Sequence, residues 1–165
     1  MSPTRRYDVE IKLVLSLPRD AASVPVSRQV LVNCLETLGV MPDTRADIAL
    51  ALSEACANVI LHAGPGDEYE VHANCRDGRC IIDVVNTGDR PEPAAPAPDA
   101  GPAADAGPAS PAAEHGRGLK IIDAVADNLQ LTGNARNGTM ITHFEKALNY
   151  LPGAAGSLLI SAEGR

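Results

Sequence analysis

Positive charge is scarce in this chain. Fourteen Lys and Arg stand against 21 Asp and Glu, so the net charge is −7, and a protein that grips nucleic-acid phosphates, which needs clustered Lys and Arg, is excluded. Protein or small-ligand partners fit the acidic balance instead. Long apolar runs are missing too. Nothing approaches the roughly 20 residues of a membrane span, and the start, MSPTRRYDVEIKL, has Asp8, Glu10 and Lys12 where a secretory signal would be apolar. A cytoplasmic protein without a membrane partner is expected. The four cysteines, Cys34, Cys56, Cys75 and Cys80, include no CxxC pair and no His at finger-like spacing, so neither a zinc site nor a redox motif is indicated. They read as small buried hydrophobes. With 165 residues and 45% hydrophobic content, one core can form, which predicts a single domain with appendages.

What is present reads clearly in order. Val9, Ile11, Leu13, Leu15 and Leu17 alternate with mostly polar residues, the period of a strand with one face on a core. Pro18 should end it. Ser23 stands as a helix N-cap with Pro25 in the first turn, and Val26, Val30, Leu31, Cys34, Leu35 and Leu38 form a stripe that stops at Gly39. Residues 68–76 and 79–85 read as strands joined by Asp77-Gly78, a pair suited to a two-residue type I′ turn. That register sets Cys75 opposite Cys80, where a disulfide is conceivable but disfavoured in a reducing compartment. A strand around 128–132, a turn at Asn137-Gly138 and a strand from Thr139 to Phe144 follow.

The chemistry concentrates in one helix. In DIALALSEACANVILHA, Asp47 to Ala63, the residues Ile48, Leu52, Ala55, Cys56 and Val59 make an apolar stripe, while Glu54 and Asn58 share a neighbouring face four residues apart. Thr44 and Asp47 have capping-box spacing for its start, and Gly64, Pro65 and Gly66 close it. A carboxylate one turn before a carboxamide suits magnesium nucleotide chemistry: the amide oxygen is a neutral hard ligand and the carboxylate can take a proton. The same pair also fits a solvated face. From Asp89 to Glu114 the sequence is Pro, Ala and Gly with a few acids, either a lid or plain disorder. It is flanked by VVNTGD and by HGRGLKIIDAVAD, whose Gly116 and Gly118 would open a helix and turn N–H groups toward an anion. His62 and His115 border these segments, with a structural reading as good as a functional one.

The order SEACANVILHA, NTG at a strand end, a variable linker, GRGL on a helix and NGTMITHFEKAL resembles the Bergerat-type ATPase domain of histidine kinases, gyrases and heat-shock chaperones. Within it, the likeness is to the small anti-sigma factor serine/threonine kinases of Gram-positive bacteria. It covers residues 7–148, leaving 1–6 and a loosely attached 149–165 as tails. The resemblance implies an α+β fold, a two-layer sandwich of a mixed, mostly antiparallel sheet under about three helices, commonly as a homodimer. It also implies that Glu54 is the catalytic base, that Asn58 ligates Mg2+, and that Gly116 and Gly118, with Leu119 beside them, line the phosphates of ATP. Asn86 and Gly88 fall in the adenine motif, Thr139 near the adenine, and 89–115 becomes the lid. The implied partners are a sigma factor and a STAS-domain anti-anti-sigma protein phosphorylated on serine.

Two residues depart from that pattern. The family's DxGxG has its Asp where Asn86 stands and its second Gly where Arg90 stands. A carboxylate only accepts hydrogen bonds, whereas an amide accepts and donates, so Asn86 could pair with adenine or match cytosine or uracil, and a pyrimidine nucleotide stays open. Losing the charge weakens one hydrogen bond by roughly 1 kcal/mol. Two functions are therefore expected in competition: an anti-sigma kinase, and a nucleotide-sensing sigma-factor antagonist that has lost phosphotransfer. A metabolic ATPase or histidine-kinase remnant is disfavoured, because no dimerisation helix pair with a phosphoacceptor His is present.

Overall fold

Alternating burial builds the sheet. The computed structural model describes residues 10–63, 66–86, 111–134 and 138–159, with only the backbone at 111–116, 134 and 158–159. Strand β1 (Ile11–Pro18) is followed, after two helices, by the hairpin β2 (Glu68–Arg76) and β3 (Arg79–Asn86). One face of that hairpin buries Tyr69, Val71, Ala73, Cys75, Cys80, Ile82, Val84 and Asn86. Its turn is the one Asp77-Gly78 dictates: both residues have positive φ, 51° and 72°, which a type I′ turn requires. The register Cys75↔Cys80 and Arg76↔Arg79 follows, and all four cysteine thiols are free.

Strands β4 (Asn128–Asn134) and β5 (Thr139–Ala147) complete a five-stranded sheet in the order β1-β2-β3-β5-β4. Every described pairing is antiparallel, where a mixed, mostly antiparallel sheet was expected. β3 and β4 run the same way, but β5 lies between them, so no parallel neighbours arise. The helices α1 (Ser23–Thr37), α2 (Pro42–His62) and α3 (Pro111–Val125) cover one face. Leu31 and Leu35 of α1, Ile48, Leu52, Ala55, Cys56 and Val59 of α2 and Ile122 of α3 meet the sheet's apolar side. The result is the expected two-layer α+β sandwich.

Helix starts differ from the sequence pattern, in two of the three helices because a proline comes first. α2 begins at Pro42 rather than near Thr44: proline fixes its own φ and lacks only an N–H that the first turn cannot use. Arg45 N–H then bonds the Met41 carbonyl at 3.0 Å. Thr44 forms no capping box; it lies inside the helix and its hydroxyl accepts from Asn149 Nδ2 at 3.4 Å. Ser23 is likewise not the N-cap, which is Ala22; its hydroxyl donates to the Asp20 carbonyl and meets the buried Tyr69 hydroxyl at 2.6 Å. α3 opens at Pro111, upstream of both glycines.

Of the expected loose tail 149–165, residues 149–156 are docked. Met41 N–H bonds Asn149 O at 2.7 Å, Leu151 N–H bonds Gly39 O at 2.8 Å, and Gly156 N–H bonds Leu38 O at 2.7 Å. Gly39, at φ 78°, is required twice over, since a Cβ there would also overlap Ala154. Polar main chain makes these contacts, which is why no apolar period announced them.

Candidate functional site

Helix α2 positions the chemistry and is held from both ends. Pro42 starts it, and the Arg19 guanidinium closes it, with Nη2 donating to the carbonyls of Val59, Ile60 and Ala63 at 3.2, 3.0 and 3.2 Å and Nη1 to Gly66 at 3.0 Å. A cation on the last carbonyls satisfies orphan acceptors and complements the helix dipole. Lys146 serves α3 similarly, donating to Val125 O at 2.7 Å and pairing with Asp47 at 3.3 Å. Sequence reading missed Arg19 because its partners lie about forty residues downstream.

Glu54 and Asn58 sit one turn apart on α2, as their spacing required. Asn58 is only 6% exposed. Its Nδ2 lies 3.5 Å from the hydroxyl of Thr142, itself fully buried on β5, and its Oδ1 is buried without a partner. Thr142 pairs with Val84 on β3. Two residues farther along the same face of that strand comes Asn86, 1% exposed, with Nδ2 donating to Gly138 O at 3.1 Å and Oδ1 again buried and unpaired. A buried acceptor left unpaired costs about 1–3 kcal/mol. Two amide oxygens in this condition under the same helix layer can take donors or a cation from outside; Asn74 Oδ1 and the Tyr150 hydroxyl are buried and unpaired as well.

α3 borders the site through Gly118. A Cβ at that position would stand 3.1 Å from Glu54 Oε2, so the absence of a side chain gives the carboxylate its room. Gly116 and Gly118 do not open the helix, however. They lie inside α3, where N–H groups are committed to carbonyls four residues back, and the expected phosphate cradle at a helix N-terminus is not formed in this conformation. Leu119 packs half-buried against the core, and Thr139 begins β5 half-buried beside Gly138. His62 ends α2. Gly88 and the greater part of the expected lid, residues 89–110 with Arg90 among them, lie outside the described residues, as do the side chains of residues 111–116, His115 included; residues 111–115 of the expected lid are helical.

The donor set fits magnesium better than a metal held wholly by protein. Among the described residues no group of three or more His, Cys, Asp or Glu could hold an ion, whereas magnesium is commonly bound through one or two side chains plus substrate phosphates and water. The orphan Oδ1 of Asn58 is a ligand of the right kind. The orphan Oδ1 of Asn86 matches a donor, such as the amino group of a base. The sequence signals that could have found the remaining contributors are thin: a turn at Gly138 was legible, but that its carbonyl faces Asn86 was not, and Thr142 is one residue in an ordinary strand pattern.

Known proteins share the fold. Residues 17–143 match the family described as the histidine kinase-like ATPase domain. The chain is 24% identical over 135 residues to the serine-protein kinase RsbW of Bacillus mycoides, across 81% of this chain and 84% of that protein. It is 25% identical over 149 residues to the protein of the same name from Bacillus velezensis, across 82% and 92%. A solved structure of the RsbU and RsbW domains of Rv1364c from Mycobacterium tuberculosis matches with a TM-score of 0.60 at 19% identity, over 84% of this chain and 32% of that one. That last likeness is one of fold, and this chain spans about a third of the longer protein.

Proposed function

Because the chain belongs to the histidine kinase-like ATPase domain family, we propose that it is an anti-sigma-factor-type regulator that binds ATP with Mg2+ and controls a sigma factor by partner switching with a STAS-domain protein, which it phosphorylates on serine. The observation that carries the nucleotide part is the pair of buried, unpaired amide oxygens of Asn58 and Asn86. The names of the Bacillus relatives support the kinase part.

In this reading Asn58 Oδ1 holds the metal, whose charge, when bound, neutralises the phosphates of the nucleotide. Asn86 Oδ1 accepts from the base. Glu54, kept clear by Gly118, takes the proton of an attacking serine hydroxyl, so that the serine oxygen forms its bond to phosphorus as the nucleoside diphosphate leaves. The rest of catalysis is positioning, for which α2 is well held by Arg19. The net charge of −7 suits a basic sigma surface. The protein acts in the cytoplasm as a homodimer, which sedimentation velocity checks; no helix among the described residues is long and apolar enough to cross a membrane.

One observation favours a second reading. α3 runs through Gly116 and Gly118 without a break, and this suits a nucleotide-sensing antagonist that no longer transfers phosphate. Calorimetry with and without magnesium, phosphotransfer to a serine-bearing STAS partner, and crosslinked pull-down from cell extract separate the cases. Nucleotide binding with no transfer selects the antagonist; recovery of neither a sigma factor nor a STAS protein removes both.

A further inference from the structure

Two contacts between α2 and α3 lie the same distance apart on both helices. At one, Lys146 on β5 donates to Val125 O, at the end of α3, at 2.7 Å and pairs with Asp47 of α2 at 3.3 Å. At the other, Gly118 of α3 faces Glu54 of α2, so closely that a Cβ would stand 3.1 Å from Oε2. Glu54 comes seven residues after Asp47, and Gly118 seven before Val125. The helices are therefore antiparallel, and two turns, about 10.5 Å, separate the contacts on each. Along α3 the packing is apolar: Ile122 is fully buried, Leu119 and Val125 partly so, and such contacts carry no direction that singles out one axial position. The ammonium supplies that direction. Val125 O is among the last carbonyls of α3, which have no partner inside the helix, and a slide of one turn, about 5.4 Å, would carry it out of hydrogen-bond reach. Asp127 N–H bonds Glu145 O at 2.8 Å, and Ala147 N–H bonds Asp127 Oδ2 at 2.6 Å. These fasten the chain leaving α3 to the sheet on either side of Lys146, which adds the link to α2.

We infer that Lys146 is a positioning residue for the proposed base: by tying the end of α3 to Asp47 it sets the axial register in which a residue without a side chain stands opposite Glu54. This rests on the kinase reading above, in which Glu54 takes the serine proton, and deepens it. From residue 119 to 125 every position of α3 carries a side chain, so a slip that brings any of them level with Glu54 displaces the carboxylate. Lys146 acts on the site through α3, two turns away, and a directional polar contact at the edge of an apolar interface is a device for fixing register rather than for adding stability.

The test uses the full chain with Lys146→Met, which keeps the stem and removes the charge and its donors, and with Asp47→Ala, which leaves the bond to Val125 O and removes the link to α2. Each protein is studied below its own melting temperature. One measurement is the nuclear Overhauser contact between the Gly118 α protons and the Glu54 side chain; the other is kcat and KM for phosphotransfer from magnesium ATP to a serine-bearing STAS partner. Wild type shows the contact. Both variants lose it, and kcat falls by about tenfold or more, the scale of a misplaced catalytic group, while KM for ATP is little changed. Absence of the contact from wild type, or its persistence in either folded variant, overturns the inference. So does a lower melting temperature with kcat unchanged, the mark of a merely structural role. If Lys146→Met does not fold, Asp47→Ala, at a side chain 42% exposed, decides by the same measurements. Failure of wild type to transfer phosphate ends the kinase reading, and the Overhauser contact then upholds or overturns the register by itself.

Discussion

Replacing Gly118 with alanine should separate stability from activity. The new Cβ would stand 3.1 Å from Glu54 Oε2, whereas ordinary contact begins at 3.4 Å, so the carboxylate has to give by a few tenths of an ångström. It is the far end of a flexible side chain, and an off-rotamer adjustment costs about 0.5–1.5 kcal/mol. Against this, alanine is favoured over glycine inside a helix by about 1 kcal/mol, and residue 118 lies inside α3. The two nearly cancel, so thermal denaturation should show a shift within about 2–4 °C of wild type in either direction. Activity should not be neutral. A misplacement of 1 Å in a catalytic group costs roughly a hundredfold, so a few tenths should lower kcat for serine phosphorylation several-fold, with the KM for nucleotide little changed. Single-turnover phosphotransfer with a STAS partner, read beside the melting curve, decides the matter. An unaltered kcat would mean that Glu54 does not need the space. A loss confined to KM would mean that Gly118 serves the phosphates and not the carboxylate, and a fall in melting temperature well beyond 4 °C would mean that the helix, not the site, requires the glycine.

Glu54→Gln should lower phosphotransfer by about 10²–10⁴-fold, the range for loss of a general base, with nucleotide affinity retained in calorimetry; parallel loss of both would deny Glu54 that role. Arg19→Ala strips the last turn of α2 of a charged donor to four carbonyls and should cost about 2–3 kcal/mol in urea denaturation, with Arg19→Lys recovering only part because a compact ammonium cannot span the same set. A change below about 0.5 kcal/mol for the alanine variant would contradict the capping account. Cys56, fully buried, has its thiol pushed up from 9.0 to about 11, chiefly by burial. The folded thiol therefore holds a proton that the unfolded one has released, so stability is full below pH 9 and falls by up to about 3 kcal/mol as the pH rises to 11. Cys56→Ala should be less stable at neutral pH but flatter between pH 9 and 11 in denaturation series; equal slopes would place the alkaline sensitivity elsewhere.

Local chemistry determined a good deal on its own. The period-two runs of β1 and the hairpin, and the demand of Asp77-Gly78 for positive φ, settle these strands and the register of the hairpin, because neighbours in sequence supply every term of the argument. The spacing of Glu54 and Asn58 likewise puts the two on neighbouring turns of one side of α2. Helix starts were less legible, since a proline that merely interrupts a pattern in sequence becomes a pre-shaped first residue at Pro42 and Pro111. Only the tertiary structure decided the rest. Leu38 and Gly39 receive the C-terminal segment through backbone groups that carry no side-chain signature, and Arg19 closes a helix some forty residues away. An asparagine in a sequence offers two ends. At Asn86 a single carbonyl, brought from 52 positions down the chain, leaves it one, because a buried acceptor tolerates only a donor across from it.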